Sequence, residues 1–196
     1  MAKRAFDIVV AGLALLLLAP LLVALGLWVR LDSPGPALFR QERVGRFGRV
    51  FRIHKFRTMV DGAPGPQITV GADARITRAG AWLRAKKLDE LPQLIDVLAG
   101  DMSLVGPRPE VPRYVALYPA ALRDKVLSVR PGITDPVSLA HLDESAQLAR
   151  AADPEREYVE VLMPAKLRAA AAYAEHATLA TDLQVLLRTV RLLGSA

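Results

Sequence analysis

The sequence predicts an α+β chain, mostly helical, with an apolar N-terminal helix over residues 1–32 and one small globular domain over residues 33–196. Three patterns predict it. Ile8 to Val29 carries no charge, two β-like stretches flank a glycine-containing turn at Gly45 to Gly48, and apolar residues at helical spacing recur through the second half. The globular part, about 165 residues, lies within the usual span of about 100 to 200 for one domain.

The N-terminal run is long enough for a membrane, since about 20 apolar residues at roughly 1.5 Å rise cross the hydrocarbon core. It exceeds a signal-peptide core of about 7 to 15 residues and lacks a small-residue exit before Trp28 and Arg30. Pro20 lies near its middle. Without an N–H it leaves the Leu16 carbonyl unpaired, a defect of about 3 kcal/mol in a helix interior, and predicts a break there. Basic flanks mark the cytoplasmic side, and both flanks are basic: Lys3 and Arg4 before the run, Arg30 and the Arg40 to Arg57 stretch after it. The residues alone leave a re-entrant helix and a spanning one both open.

Ser33-Pro34-Gly35-Pro36 ends the helix, because proline cannot continue it. Leu38 to Val44 and Val50 to Phe56 then predict a β-hairpin, followed by a Gly/Pro-rich loop from Gly62 to Gly71 and a short Arg-rich helix from Ile76 to Lys87. Leu91, Leu94, Ile95 and Leu98 have helical spacing, with Pro92 in the first turn and Gly100 as the stop. Asp89 and Glu90 fall at that helix's N-terminus. Glu155 to Ala174 predicts a helix, and Leu179, Leu183, Leu186, Val190 and Leu193 form a stripe suited to core or to a bilayer surface.

Composition narrows the chemistry. With no cysteine, disulfides, thiolate catalysis and Cys-type zinc sites are excluded. The formal charge of +6 sits in one place: Arg40, Arg43, Arg46, Arg49, Arg52, Lys55 and Arg57 face only Glu42, so the rest of the chain balances. A basic surface beside an apolar helix suits anionic headgroups and phosphates, and no nucleic-acid reading element accompanies it. His54, His141 and His176 are scattered without ligand spacing.

Asp89 and Glu90 are the candidate reactive pair, for a helix N-terminus favours carboxylates and bound phosphate, although ordinary capping explains acidic first turns equally well. Arg84, Arg108 and Arg130, two of them in rigid proline turns, are suited to converge on a diphosphate. A carboxylate can attack phosphorus and hold an acyl-phosphate, splitting one displacement into two. Its approach to a diphosphate needs charge neutralisation, which makes Mg²⁺ the expected helper.

The ordered series resembles a known family, the monotopic phosphoglycosyl transferases or bacterial sugar transferases, over nearly the whole chain. It runs from Lys3-Arg4-Ala5-Phe6-Asp7 through Ser33-Pro34-Gly35-Pro36, Gln41-Glu42-Arg43-Val44-Gly45 and Lys55-Phe56-Arg57-Thr58-Met59. Leu88-Asp89-Glu90-Leu91-Pro92-Gln93-Leu94, Gly100-Asp101-Met102-Ser103-Leu104-Val105-Gly106-Pro107-Arg108-Pro109 and Arg130-Pro131-Gly132-Ile133-Thr134 complete it.

The resemblance implies a re-entrant membrane helix broken at Pro20, amphipathic interfacial helices, and a catalytic domain on the cytoplasmic face of the inner membrane. It implies a Mg²⁺-dependent ping-pong transfer from a UDP-sugar to polyprenol (undecaprenyl) phosphate with release of UMP, a first step of glycoconjugate or exopolysaccharide assembly. Asp89 would be the nucleophile and Glu90 its partner; Asp89 would face Mg²⁺ with the Arg84 backbone carbonyl. Arg108, between Pro107 and Pro109, would bind donor phosphate or seat the uridine, with Lys55, Arg57 and Arg130 also binding substrate. Ala19 before Pro20 and Asp135-Pro136 after Ile133-Thr134 depart from the family pattern, which puts the latter loop's part in nucleotide or sugar recognition in doubt. The long forms' extra N-terminal segments are absent from this sequence, which reads as a minimal catalytic unit. The rival from another class is a membrane-tethered scaffold. Sugar, pathway and oligomeric state are not legible in the residues.

Overall fold

A computed structural model describes residues 2–65, 69, 71, 73–137 and 144–195. It is an α+β fold, mostly helical, with two small two-stranded sheets. Helix α1 (Ala2–Asp32) is long and apolar enough to cross a membrane, with a mean hydropathy of 2.9 over its most apolar stretch. The break expected at Pro20 is not where the helix ends; α1 runs through it. Proline removes one bond of the ladder, and the turns on either side are built of leucines and alanines that keep their own. Leu16, Leu17, Val23 and Leu27 project outward at 57 to 77% exposure.

Both ends of α1 are fastened to the same globular body. At the N-terminal end, Asp7 accepts from Ser103 Oγ (2.8 Å) and Leu104 N–H (3.3 Å), and Arg4 donates to the Val97 and Leu98 carbonyls. Ala11 enters the core with Phe51, Ile53, Val97 and Met102. At the C-terminal end, Leu25 and Val29 pack on Phe56 and Leu83, Asp32 accepts from Ala79 N–H (2.9 Å), and Trp28 meets Trp82 edge to face at 5.3 Å.

The hairpin forms where the sequence predicts it: β1 (Leu38–Val44) and β2 (Val50–Phe56) pair antiparallel with Leu38 opposite Phe56. Alternation puts Phe51 and Ile53 in the core and Arg40 and Arg52 in solvent. Past β2 the chain reaches α2 (Arg78–Ala85), shorter than the expected Ile76 to Lys87, capped by Thr77. Here Gly80 is obligatory, since a Cβ would lie 2.1 Å from the Thr58 carbonyl oxygen.

Lys87 then adopts φ +56°, and the chain turns through a tight 3₁₀ segment, Leu88–Gln93, before α3 (Leu94–Ala99) stops at Gly100 with φ +93°. Asp89 and Glu90 therefore lie in this turn and not at the head of an α-helix as the spacing predicts. The left-handed residue before it and Pro92 within it hold the segment out of regular α geometry. Strand β3 (Ser103–Val105) pairs in parallel with β4 (Gly132–Thr134), joined by short helices α4 (Pro112–Val115) and α5 (Ala120–Val126).

The helix expected over Glu155 to Ala174 is present in three pieces: α7 (Pro154–Glu157), a widened turn at Tyr158–Leu162, and α8 (Met163–His176), preceded by α6 (Glu144–Arg150). In the last helix, α9 (Leu179–Ser195), the buried side is Asp182, Val185 and half-buried Leu186 and Thr189, while Leu183 and Val190 of the expected stripe are 42 and 67% exposed. Asp182 sets this rotation by binding Lys3 and the Tyr173 hydroxyl. His141 and the Leu193 side chain lie outside the described residues.

Asp7→Ala should remove two buried hydrogen bonds and lower stability by about 1 to 3 kcal/mol, with Asp7→Asn milder. Thermal unfolding in detergent measures this; an unchanged midpoint for both would show that the N-terminal end of α1 is not held as described.

Candidate active site

The two carboxylates of the turn are adjacent in sequence and share one cation. Lys55 Nζ lies 3.0 Å from Asp89 Oδ2 and 3.0 Å from Glu90 Oε1. Lys55 comes from the inward face of β2, and the neighbouring His54 locks that strand to α3. Asp96, 2% exposed, accepts the His54 backbone N–H at 2.9 Å and contacts His54 Nδ1 at 2.6 Å. The register of β2 against the turn is thus fixed one residue from Lys55.

Glu90 is gripped twice. Arg108, from the rigid Pro107-Arg108-Pro109 turn, sets NH2 2.7 Å from Oε1 and NH1 3.3 Å from Oε2, a forked arrangement. Burial pushes the Glu90 carboxyl up, but Arg108 and Lys55 together outweigh burial and hold it far below the usual carboxylate range. Reciprocally, Glu90 raises Arg108. Asp89 differs. Its Oδ2 is paired with Lys55, Oδ1 is uncommitted among the described residues, and the residue is 3% exposed.

Arg84 borders the same turn from α2. Its Nε donates to Thr58 Oγ1 (2.9 Å) and its NH1 to Thr69 Oγ1 (3.3 Å). Burial lowers its pKa, against the nearby negative charges of Asp89 and Asp73. Its backbone carbonyl accepts the Lys87 N–H at 3.1 Å, the bond that closes the approach to the turn. Pro107 and Pro109 are buried; the Pro107 carbonyl accepts from Gly132 N–H and the Pro109 carbonyl from Arg43, both at 3.0 Å.

Two predicted arginines are placed elsewhere. Arg57, 2% exposed, binds the carbonyls of Val29, Ser33 and Pro36 and the Ser33 hydroxyl, so it closes the end of α1. Arg130 donates Nε to the Gly100 carbonyl (2.8 Å), and makes no ion pair with Asp89 or Glu90 among the described residues. The structure thus joins Lys55, Asp89, Glu90 and Arg108, with Arg84 beside them.

Among the described residues no group of three acidic or histidine side chains converges as a metal cage. A cation held mainly by substrate phosphates needs only one or two carboxylates, and the uncommitted oxygen of Asp89 could serve as one, whereas both Glu90 oxygens are taken by Arg108 and Lys55. The sequence did not disclose a second polar cluster, which shares two clefts with Arg108. There Arg43 donates to Glu110 Oε1 (3.3 Å) and Gln41 Oε1 (2.7 Å), while Tyr158 donates its hydroxyl to Glu110 Oε2. Burial lowers the Arg43 pKa and raises the Tyr118 and Tyr158 phenols. This cluster bounds two clefts that share Pro107, Arg108, Glu110, Tyr118 and Val126.

A family model described as bacterial sugar transferase matches residues 1–195. The chain belongs to this family. It is 42% identical over 192 residues to the UDP-glucose:undecaprenyl-phosphate glucose-1-phosphate transferase of Caulobacter vibrioides, covering 96% of this sugar transferase and 68% of that protein. Identity is 42% over 143 residues to the UDP-N-acetylgalactosamine-undecaprenyl-phosphate N-acetylgalactosaminephosphotransferase of Aeromonas hydrophila (71% of this chain, 34% of that one). It is 45% over 136 residues to the UDP-glucose:undecaprenyl-phosphate glucose-1-phosphate transferase of Escherichia coli K12 (67% and 29%). The chain thus spans about two thirds of the first relative and about a third of the others.

A carboxyl depressed in the fold keeps its ion pair above its unfolded pKa and loses it as pH falls through the folded value. The Glu90 to Arg108 bridge should therefore persist through the ordinary range of glutamate titration and fail only in stronger acid. Arg108→Ala removes the largest opposing charge, so Glu90 should protonate at a higher pH, as read by infrared carboxylate bands. Identical titration in both proteins would show that Arg108 does not control Glu90.

Proposed function

We propose that this sugar transferase moves a sugar phosphate from a UDP-sugar to undecaprenyl phosphate, releasing UMP and leaving a polyprenyl-diphosphate-linked sugar. The reaction is that named for the relatives. The observation that carries the residue assignment is the difference between the two carboxylates. Both Glu90 oxygens are held by Arg108 and Lys55, whereas Asp89 keeps one oxygen uncommitted among the described residues.

Asp89 is accordingly the nucleophile. Its oxygen bonds to the phosphorus that carries the sugar; the bond from that phosphorus to the bridging oxygen breaks, and its electron pair leaves on UMP. The lipid phosphate oxygen then attacks the same phosphorus, the bond to Asp89 breaks, and the carboxylate is restored. Lys55, on a flexible four-carbon stem, can follow the negative charge from Asp89 to the phosphoryl oxygens. Arg108 and Arg84 flank the turn as fixed cations that offset the donor's charge. Asp89, with the Arg84 carbonyl as a further ligand, would hold a Mg²⁺ ion, which would supply additional charge neutralisation.

We infer further that α1 bends at Pro20 without ending there, and so enters and leaves one leaflet from the cytoplasmic side. A spanning helix places its ends about 30 Å apart on opposite faces. Asp7 and Arg4 at one end of α1, and Val29 and Asp32 at the other, all bind one body. The outward apolar faces of α1 and of α9, with Leu183, Leu187 and Val190, would meet the lipid.

Asp89→Asn should abolish UMP release from UDP-sugar and the sugar-phosphate adduct that intact mass spectrometry would detect on the wild type. Release of UDP instead of UMP would sink the proposed reaction, and an adduct surviving in Asp89→Asn would move the nucleophile. Because the chain lacks cysteine, single cysteines at Ala2 and Ser33 give a clean topology test. Neither should react with an impermeant thiol reagent outside the cell, and labelling of either overturns the re-entrant helix.

A further inference from the structure

Arg108 can fork onto Glu90 only while the turn that carries it stays in place, because a bidentate pair fixes both the position and the plane of the guanidinium. The prolines on either side stiffen that turn, but they have no N–H with which to anchor it. Anchoring therefore falls to their carbonyls. That of Pro107 accepts from the Gly132 N–H at 3.0 Å, a main-chain tie to β4, and the Gly106 N–H adds another to the Thr134 carbonyl at 3.1 Å. Downstream the tie is a side chain: Arg43 NH1 donates to the Pro109 carbonyl at 3.0 Å.

Arg43 is itself fixed from several sides. NH2 donates to Gln41 Oε1 at 2.7 Å and NH1 reaches Glu110 Oε1 at 3.3 Å, while the Glu110 carboxylate also accepts the Val111 N–H at 2.8 Å and the Tyr158 hydroxyl. The Glu110 carbonyl accepts the Val44 N–H at 2.9 Å, so the residues just past the turn dock on β1. This is a costly way to hold a loop. Burial lowers the Arg43 pKa, Glu110 opposes that, and the like charge of Arg108 adds to the lowering. The Nε of Arg43 is buried without a hydrogen-bond partner among the described residues. An apolar side chain would join the two segments with no buried charge, and a residue that departs from packing economy in this way marks a functional constraint.

We propose that Arg43 is a positioning residue for the transfer, holding the Pro107-Arg108-Pro109 turn so that Arg108 keeps Glu90 and leaves Lys55 to be shared with Asp89. This rests on the reaction proposed above. Both cations that bind Glu90 are then referred to one hairpin: Lys55 directly, from β2, and Arg108 through Arg43 of β1, which lies opposite Phe51 in the ladder. Without Arg43 the Pro109 side of the turn loses its carbonyl tie, and Arg108 is free to leave the fork. Lys55 would then have to balance both carboxylates alone. Arg43 forms no ion pair with Asp89 or Glu90 among the described residues, so its effect on them is routed through Arg108.

A double-variant cycle separates positioning from general stability. UMP release from UDP-glucose or UDP-N-acetylgalactosamine, whichever the wild type accepts, is measured with undecaprenyl phosphate for Arg43→Met in three backgrounds. These are the otherwise unchanged chain, Arg108→Ala and Arg84→Gln, with enzyme raised until each turns over above background. Arg43→Met should lower kcat/KM about tenfold in the first and third, and less than about twofold where Arg108 is gone, because residues that act through one another do not add. Equal losses in all three, or no loss in any, overturn the proposal. Gln41→Leu keeps the bonds to Pro109 and Glu110 and frees only NH2, so it carries the same cycle, with a smaller loss, if Arg43→Met lowers the melting temperature. The cycle repeated in UDP affinity by calorimetry needs no turnover. A wild type that binds UDP but releases no UMP refutes the reaction, and the affinity cycle then decides the role of Arg43 by itself; a wild type that does not bind UDP overturns both.

Discussion

Two carboxylates on consecutive residues of one tight turn repel each other, and their coexistence depends on the ammonium of Lys55 at 3.0 Å from both. The attraction is worth most where water is scarce, and Asp89 is almost wholly covered. The rest of the site follows from the need to keep that ammonium in place. β2 presents it, His54 and Asp96 fix β2 to α3, and Arg108 takes the larger part of Glu90 so that Lys55 can be shared. The result is asymmetric: one carboxylate is locked, and its neighbour keeps a free oxygen among the described residues. That asymmetry is the ground on which the proposed reaction gives different roles to two residues of almost identical chemistry.

The same logic of buried carboxylates with designated partners builds the frame. Asp7, Asp96 and Asp182 are each 1 to 2% exposed, and each ties distant segments together: α1 to β3, α3 to β2, and α9 to the first turn of α1 through Lys3. A buried charge left without its partner is costly, so each tie admits one arrangement. Packing alone would leave these helices freer to slide, because leucines and alanines on α1 and α9 fit a neighbouring surface in several registers. The carboxylates choose among those registers.

Such ties explain what the sequence discloses. The hairpin is legible to the residue because it is local: alternation and two glycines define it without help from the rest of the chain. Asp89 with Glu90 is legible as a motif, and Arg108 as the charge inside a rigid proline turn. The 3₁₀ turn is not, since it depends on Lys87 in the left-handed region, which no composition rule marks. The parallel pairing of β3 with β4 is buried and three residues long, too short for a period to show. Arg57 and Arg130 look like phosphate ligands by type, yet their roles depend on carbonyls brought near only by the tertiary fold. The signal that was available lay in Asp96 and Asp182. Each interrupts an apolar face, and a carboxylate there demands a partner.

The ties also place Asp89 and Lys55 relative to the apolar helix. Lys55 precedes Phe56, and Leu88 precedes Asp89; Phe56 and Leu88 both belong to the cluster that packs Leu22, Leu25 and Val29 of α1. The ammonium and the carboxylate are therefore one residue removed from the contact between globular body and apolar helix. Trp28 and Trp82, each partly exposed and set edge to face, lie at the same end of α1, where amphipathic aromatic rings favour a membrane's polar boundary. A lipid phosphate is confined to that boundary by its own chains. In the proposed reaction, Asp89, carried on the 3₁₀ turn and held against α1 through Leu88, would meet its lipid acceptor without extracting it from the bilayer: the position of the helix and that of the carboxylate are set by one and the same packing contact.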